Sequence, residues 1–228
     1  MRGGLYALIL VAVMEDKCTL LPPHKVEEVF TRFQKANPDP KTELAAPNDF
    51  CFLISVVLSA QTTDKAVNKA TEELYKAAST PEQMLQLGEE KLADFIRSIG
   101  LYKSKARHVM GLCQMLVESF DSSLPSTRDE LERLPGVGRK TASVVLNTVF
   151  GQPEIPVDTH LLRICPKIGL AEGKTPLEVE MSLKERIPER FLTRAHHWLI
   201  LHGRYICTAR KPKCSSCLIA DICLKNEH

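Results

Sequence analysis

The sequence predicts an all-α protein, and three observations carry that prediction. No run alternates apolar and polar residues for long enough to make a strand. Apolar residues recur instead with a helical period, as at Val109, Met110, Cys113, Leu116, Val117 and Phe120. Capping residues stand where these stretches begin, and the connections between them are short.

Taken in order, Val26 to Lys35 reads as a short amphipathic helix, stopped by Asn37-Pro38-Asp39-Pro40. Asn48-Asp49 caps the strongly apolar stretch from Phe50 to Ala60, a buried helix. Thr62-Thr63-Asp64 opens a helix to about Lys76, and Thr80-Pro81-Glu82-Gln83 opens another. Glu89 to Ile99 follows, with Gly100 placed to stop it, and then Ser104 to Phe120. Ser126-Thr127 caps a short helix ending near Leu134, and Arg139 to Phe150 forms the next. Thr159 to Gly169 starts as helix, Thr175-Pro176-Leu177-Glu178 opens a helix to Ile187, and Phe191 to Leu201 leads into a cysteine-rich end.

The 228 residues, 44% hydrophobic and 25% charged, suffice for a folded core and exclude a disordered or low-complexity chain. A net charge of +2 means that any polyanion-binding surface must come from local clusters of Lys and Arg. Arg2 precedes an apolar run, Leu5 to Val13, that is too short to span a membrane and lacks a small-residue cleavage site. Residues 1–20 are therefore expected to be a poorly ordered extension, with Met14 as an alternative start.

Leu134-Pro135-Gly136-Val137-Gly138-Arg139-Lys140-Thr141 carries the first chemical signal. Two glycines allow a sharp turn and clear its outer edge, and a helix begins at once behind them. Uncapped N–H groups at the positive end of a helix dipole bind anions. Arg139 and Lys140 add full charges, so the turn fits a phosphate without reading sequence. The competing reading is a tight helix–helix turn with a solvated basic edge.

Lys140 lies in the first turn of that helix. A free lysine titrates near ~10.4, which leaves about 0.04% neutral at pH 7. The helix N-terminus and Arg139 both oppose the ammonium form and favour a nucleophilic amine. Taken alone, a surface lysine contacting phosphate is the simpler reading. Asp158, in Pro156-Val157-Asp158-Thr159-His160, stands at a helix start. It reads as an N-cap, or as a carboxylate that stabilises positive charge at a sugar C1′ and helps deprotonate the lysine.

Eight cysteines are unevenly spread. Cys51 and Cys113 sit in apolar helical patterns as small hydrophobes. Cys207, Cys214, Cys217 and Cys223 crowd together with spacing C-x6-C-x2-C-x5-C, a four-thiolate metal site in a reducing compartment. Zinc and an iron–sulfur cluster both satisfy this chemistry, zinc being the common default. Arg210, Lys211 and Lys213 lie between the first two ligands, with Arg204 just before. A metal would pin this loop and present its charges to phosphate.

Together these features resemble the endonuclease III family of helix-hairpin-helix DNA glycosylases, over about Val26 to Lys225. The likeness rests on Leu58-Ser59-Ala60-Gln61-Thr62-Thr63-Asp64, Ile99-Gly100-Leu101-Tyr102, the hairpin, Val157-Asp158-Thr159-His160, the segment from His196 to Arg204, and the four cysteines. The resemblance implies a two-lobed fold: a six-helix domain over residues 42–152, and a cluster domain built from 21–41 and 153–228. It implies a [4Fe-4S] cluster on the four cysteines rather than zinc. Lys140 would attack C1′ of a flipped nucleotide, with Asp158 as the essential carboxylate. Gln61 and Leu101 would fill the gap in the duplex. The implied partner is double-stranded DNA with damaged bases, chiefly oxidised or ring-damaged pyrimidines, acted on by a monomer in a bacterial-type cytoplasm with no membrane attachment. Mismatch-specific relatives commonly lack the lysine, so Lys140 argues for strand nicking. A non-catalytic DNA-binding zinc module is the competitor of another class. One departure is Cys165-Pro166-Lys167-Ile168, where Pro166 is expected to shorten or kink its helix.

Overall fold

The computed structural model describes residues 20–225. The expected disorder of the N-terminal extension falls on residues outside that range, apart from residue 20. Among the described residues there are eleven α-helices, one 3-10 turn and no strand. They are α1 (Pro23–Ala36), α2 (Asp49–Leu58), α3 (Asp64–Ala77), α4 (Pro81–Leu87), α5 (Glu89–Phe95), α6 (Tyr102–Ser119), α7 (Arg128–Arg133), α8 (Arg139–Thr148), α9 (Thr159–Ile168), α10 (Pro176–Arg186) and α11 (Glu189–Tyr205). None is long and apolar enough to cross a membrane.

The caps read from the sequence form. Asn48 Oδ1 accepts from Cys51 N at 2.8 Å, and Thr63, Thr80 and Thr127 each accept from the backbone three residues on. Thr175 and Glu178 complete a reciprocal capping box. Two expectations fail. The helix expected to reach Ile99 ends at Phe95. Ile96 and Ile99 are both buried, but a tight turn joins them, with Ile99 N donating to Ile96 O at 3.0 Å. Apolar residues three apart suit such a turn as well as a helix. Pro166 does not shorten α9, which continues to Ile168. Its missing N–H leaves Leu162 O without a helix donor, yet the helix runs on for two more residues. Gly169 stops the helix instead, at φ 93, and a Cβ there would lie 2.4 Å from Leu224.

Two hydrophobic cores form. One gathers α2 to α8 around Leu53, Ile54, Leu58, Leu112, Leu116 and Leu146. Helix α2 is its axis, buried from Phe50 to Leu58. The other joins the two ends of the described chain. Val26, Phe30 and Phe33 of α1 pack with Ile164, Leu183, Phe191 and Trp198. Phe30 stacks on Phe191 at 5.8 Å, and Trp198 Nε1 donates to Asn37 O at 2.8 Å. The hairpin belongs to the first core, and α8 and α11 meet between the two.

Candidate active site and nucleic-acid interface

The hairpin between α7 and α8 divides into an inner and an outer side. Val137 is buried and Pro135 leans on α6, where a Cβ on Gly111 would come within 3.2 Å of its ring. Gly136 adopts φ 80, and a Cβ there would lie 3.0 Å from His108 Cβ. Its glycine is therefore required from within. Gly138 differs. Its φ of −101 suits any residue and nothing lies within 4 Å of an added Cβ. Sterically the fold does not require glycine there. Gly138 also supplies no capping side chain to α8, which leaves the first-turn N–H groups open. Of the predicted phosphate contacts, Val137 can offer only its backbone.

Arg139 is committed elsewhere. Its Nε and Nη2 each donate to the Glu180 carboxylate at 3.1 Å. Glu180 is buried in α10 and also meets Lys184 at 3.2 Å. Arg128 and Lys184 both bind Glu154 at 2.6 Å, and Arg128 Nη1 donates to Ser143 at 2.9 Å. A buried carboxylate needs such company. This cluster joins the hairpin end of α8 to α10, across the two cores. No local sequence signal ties Glu180 to the hairpin, because Arg139 lies 41 residues away.

Exposed Lys140 lines a cavity with Ser59, Asp64, Val144, His196, His197 and Arg204. A second cavity, lined by Thr62, Thr63, His160 and Tyr205, shares Glu43, Asp64 and Arg204 with it. Lys140 thus borders one cavity and His160 its neighbour, with Glu43, Asp64 and Arg204 lining both. Asp158 caps α9 just before His160, and its Oδ1 accepts from His160 N at 2.8 Å and Leu161 N at 2.9 Å. Two such bonds fix the carboxylate. Arg204 does not present its charge with the basic loop. It donates to Asp64 at 2.6 Å and to Glu43 within the cleft. His196 is buried, and burial holds its imidazole well below 6.5, with the charges of His197, Lys140 and Arg204 acting the same way. His196 and His197 stood in a quoted motif, but sequence reasoning gave them no place beside the lysine.

Gln61 and Leu101 share an unusual backbone. Their φ values are 55 and 59, left-handed for residues that rarely adopt it. Such conformations cost about 1–3 kcal/mol each and persist only where the surroundings enforce them. Both side chains point to solvent, Leu101 being 65% exposed.

The four late cysteines converge. Cys207, Cys214, Cys217 and Cys223 line one cavity with His202 and Ile219. Arg163 anchors the first of them, Nη1 donating to Cys207 O at 2.6 Å, and His202 Nε2 lies 3.8 Å from Cys217 Sγ. Four thiols lining one cavity are a donor set that suits zinc or an iron–sulfur cluster alike. Arg210, Lys211 and Lys213 are exposed on the loop.

Comparison with known proteins follows the same two parts. The family model described as HhH-GPD superfamily base excision DNA repair protein matches residues 54–189. The model described as the iron-sulfur binding domain of endonuclease III matches residues 207–223, a span bounded by the first and last of the four cysteines. Fold and site define a helix-hairpin-helix protein of base excision DNA repair. Endonuclease III of Rickettsia conorii is 53% identical, over 87% of this chain and 94% of its own length. Those of Treponema pallidum and Escherichia coli K12 are both 52% identical, over 91% and 86% of this chain and 98% and 93% of their own lengths. A solved structure of a trapped endonuclease III–DNA covalent intermediate, an estranged-adenine complex, is 42% identical with TM-score 0.84, covering 91% of this chain and 98% of its own. The chain belongs to the endonuclease III family, and its cofactor is a [4Fe-4S] cluster.

Proposed function

We propose that this protein is a bifunctional DNA glycosylase and AP lyase that removes oxidised or ring-damaged pyrimidines from double-stranded DNA. The observation that carries the reading is Lys140, exposed at the uncapped start of α8 and bordering the cleft. The neutral amine attacks C1′ of a flipped nucleotide, and the C1′–N bond to the base breaks. Loss of the amine proton and opening of the sugar ring give an imine between Nζ and C1′. Removal of a C2′ proton then expels the 3′ phosphate, which nicks the strand by β-elimination. Asp158, rigid as a cap, faces the positive charge that develops at the sugar and accepts a proton from the lysine. That a relative is described as a covalent intermediate with DNA supports this chemistry.

The two cores are assigned as lobes of a DNA cleft, residues 42–152 on one side and 21–41 with 153–228 on the other. Gly136 and Gly138 let a phosphate approach the N–H groups of α8, with Pro135 and Val137 holding the turn. Arg139 serves this site from its place on Glu180, as a brace. Gln61 and Leu101 enter the space left by the flipped nucleotide. Cys207, Cys214, Cys217 and Cys223 hold the cluster, which supplies a rigid knot and no reaction step. The knot presents Arg210, Lys211 and Lys213 to a second stretch of backbone. The protein works as a monomer on chromosomal DNA in the cytoplasm.

Borohydride reduction tests the mechanism. Wild-type protein is expected to be trapped covalently on a duplex with a damaged pyrimidine. Lys140→Gln is expected to bind that duplex and give no trapped product. Trapping that survives the substitution overturns the assignment of the nucleophile.

A further inference from the structure

Lys105 is a buried cation without a carboxylate. It lies in the first turn of α6 and has little exposed surface. Its Nζ donates to Thr62 Oγ1 at 2.9 Å, and no ion pair forms to it among the described residues. Burial lowers its pKa, with no charged neighbour contributing. A methionine would occupy such a position without desolvating a charge, so packing alone does not explain a lysine.

Its connections do. The Lys105 side chain reaches the residue next to Gln61, and its backbone N donates to Leu101 O at 2.9 Å. Its side chain therefore ties the Gln61 turn to the helix that begins behind Leu101, forty residues apart in sequence. Thr62 is itself folded back, with its N donating to Ser59 O at 3.0 Å and its Oγ1 to Ala60 O at 3.3 Å. The ammonium thus adds a long-range bond to a turn otherwise held by short local ones.

We infer that Lys105 is a positioning residue, a strut that fixes the spacing of Gln61 and Leu101 so that both enter the duplex together. It touches neither the reacting sugar nor the base. The inference rests on the reading of Gln61 and Leu101 as gap-filling side chains.

Lys105→Met keeps the bulk and removes the bond, and Thr62→Val removes its acceptor. Single-turnover excision from a duplex is expected to fall about tenfold in either variant, the worth of one charged hydrogen bond. The fluorescence gained by 2-aminopurine opposite the lesion as it is estranged is expected to fall with it. Trapping on a single-stranded abasic site, which has no gap to fill, is expected to change by less than about threefold. The Met/Val double variant is expected to be no worse than either single one. Equal losses on the duplex and the single strand, or an additive double variant, overturn the strut. Should Lys105→Met fail to fold by thermal melting, Thr62→Val alone decides. Gln61→Ala and Leu101→Ala run alongside. If neither slows duplex excision, the gap-filling reading fails. If both do and Thr62→Val does not, the strut alone fails.

Discussion

Helices α8 and α9 begin in opposite ways, and both beginnings matter to the site. Gly138 opens α8 without a side chain and leaves its first N–H groups bare. Asp158 opens α9 and accepts from two of its N–H groups. A bare start is a place for an anion that arrives from outside. A capped start spends its donors on its own carboxylate, and in return that carboxylate cannot wander. The site needs one of each: a seat for phosphate beside the lysine, and an acid group held still.

The contrast can be broken from either side. The largest effect is expected at the capped start. Asp158→Asn can still accept the helix bonds, so its stability should stay within about 1 kcal/mol of wild type. Excision should nonetheless fall about a hundredfold or more, because the charge is gone. A single-turnover assay beside a melt checks both halves. If Asp158→Asn excises normally, Asp158 is a cap and nothing else. At the bare start, Gly138→Asp places an anion where phosphate is to sit. Binding should weaken about tenfold, equally for all sequences, with little loss of stability. Gly136→Ala makes the inverse test, because its φ of 80 and the nearby His108 predict destabilisation of about 1–3 kcal/mol. A gel-shift series and a denaturation series separate the two glycines.

The smallest effect concerns pH. Burial keeps His196 neutral when folded, while the unfolded chain protonates it near its usual 6.5. The unfolded state therefore binds more protons below that value, and stability falls as pH drops through it. The loss per proton is at most about 1.4 kcal/mol per pH unit, and it is absent well above 6.5. His197 shifts in the same direction through burial. Denaturation midpoints at about pH 7.5 and 5.5 should differ less in His196→Asn than in wild type. An unchanged difference would show that His196 is not the group responsible.

Much of this architecture was legible because caps are local. Asn48, Thr63, Thr80, Thr127 and Thr175 each announce a helix within four residues, and each does so in the structure. The hairpin and the cysteines were legible for the same reason, since their spacing is their chemistry. What stayed hidden depends on distant partners. Nothing near Arg139 says that its charge belongs to Glu180, or near Arg204 that it turns inward to Asp64. Leu101 is a residue that ordinary turn rules would never place at positive φ. Pro166 did not end its helix, and Gly169 at φ 93 did.

Helix α1 carries a consequence for how the chain comes into being. Its apolar face, Val26, Phe30 and Phe33, is closed by Phe191, Trp198 and His202. At ordinary ribosomal speed those partners emerge roughly ten to thirty seconds later. Through that interval the seven helices of the first core have one another to pack on, but the aromatic face of α1 still lacks these partners. The nascent protein thus carries a greasy helix at its front until the last fifth of the message is read. A truncated product would never cover it, and so would be marked for chaperones or proteases before it could hold DNA without its cluster.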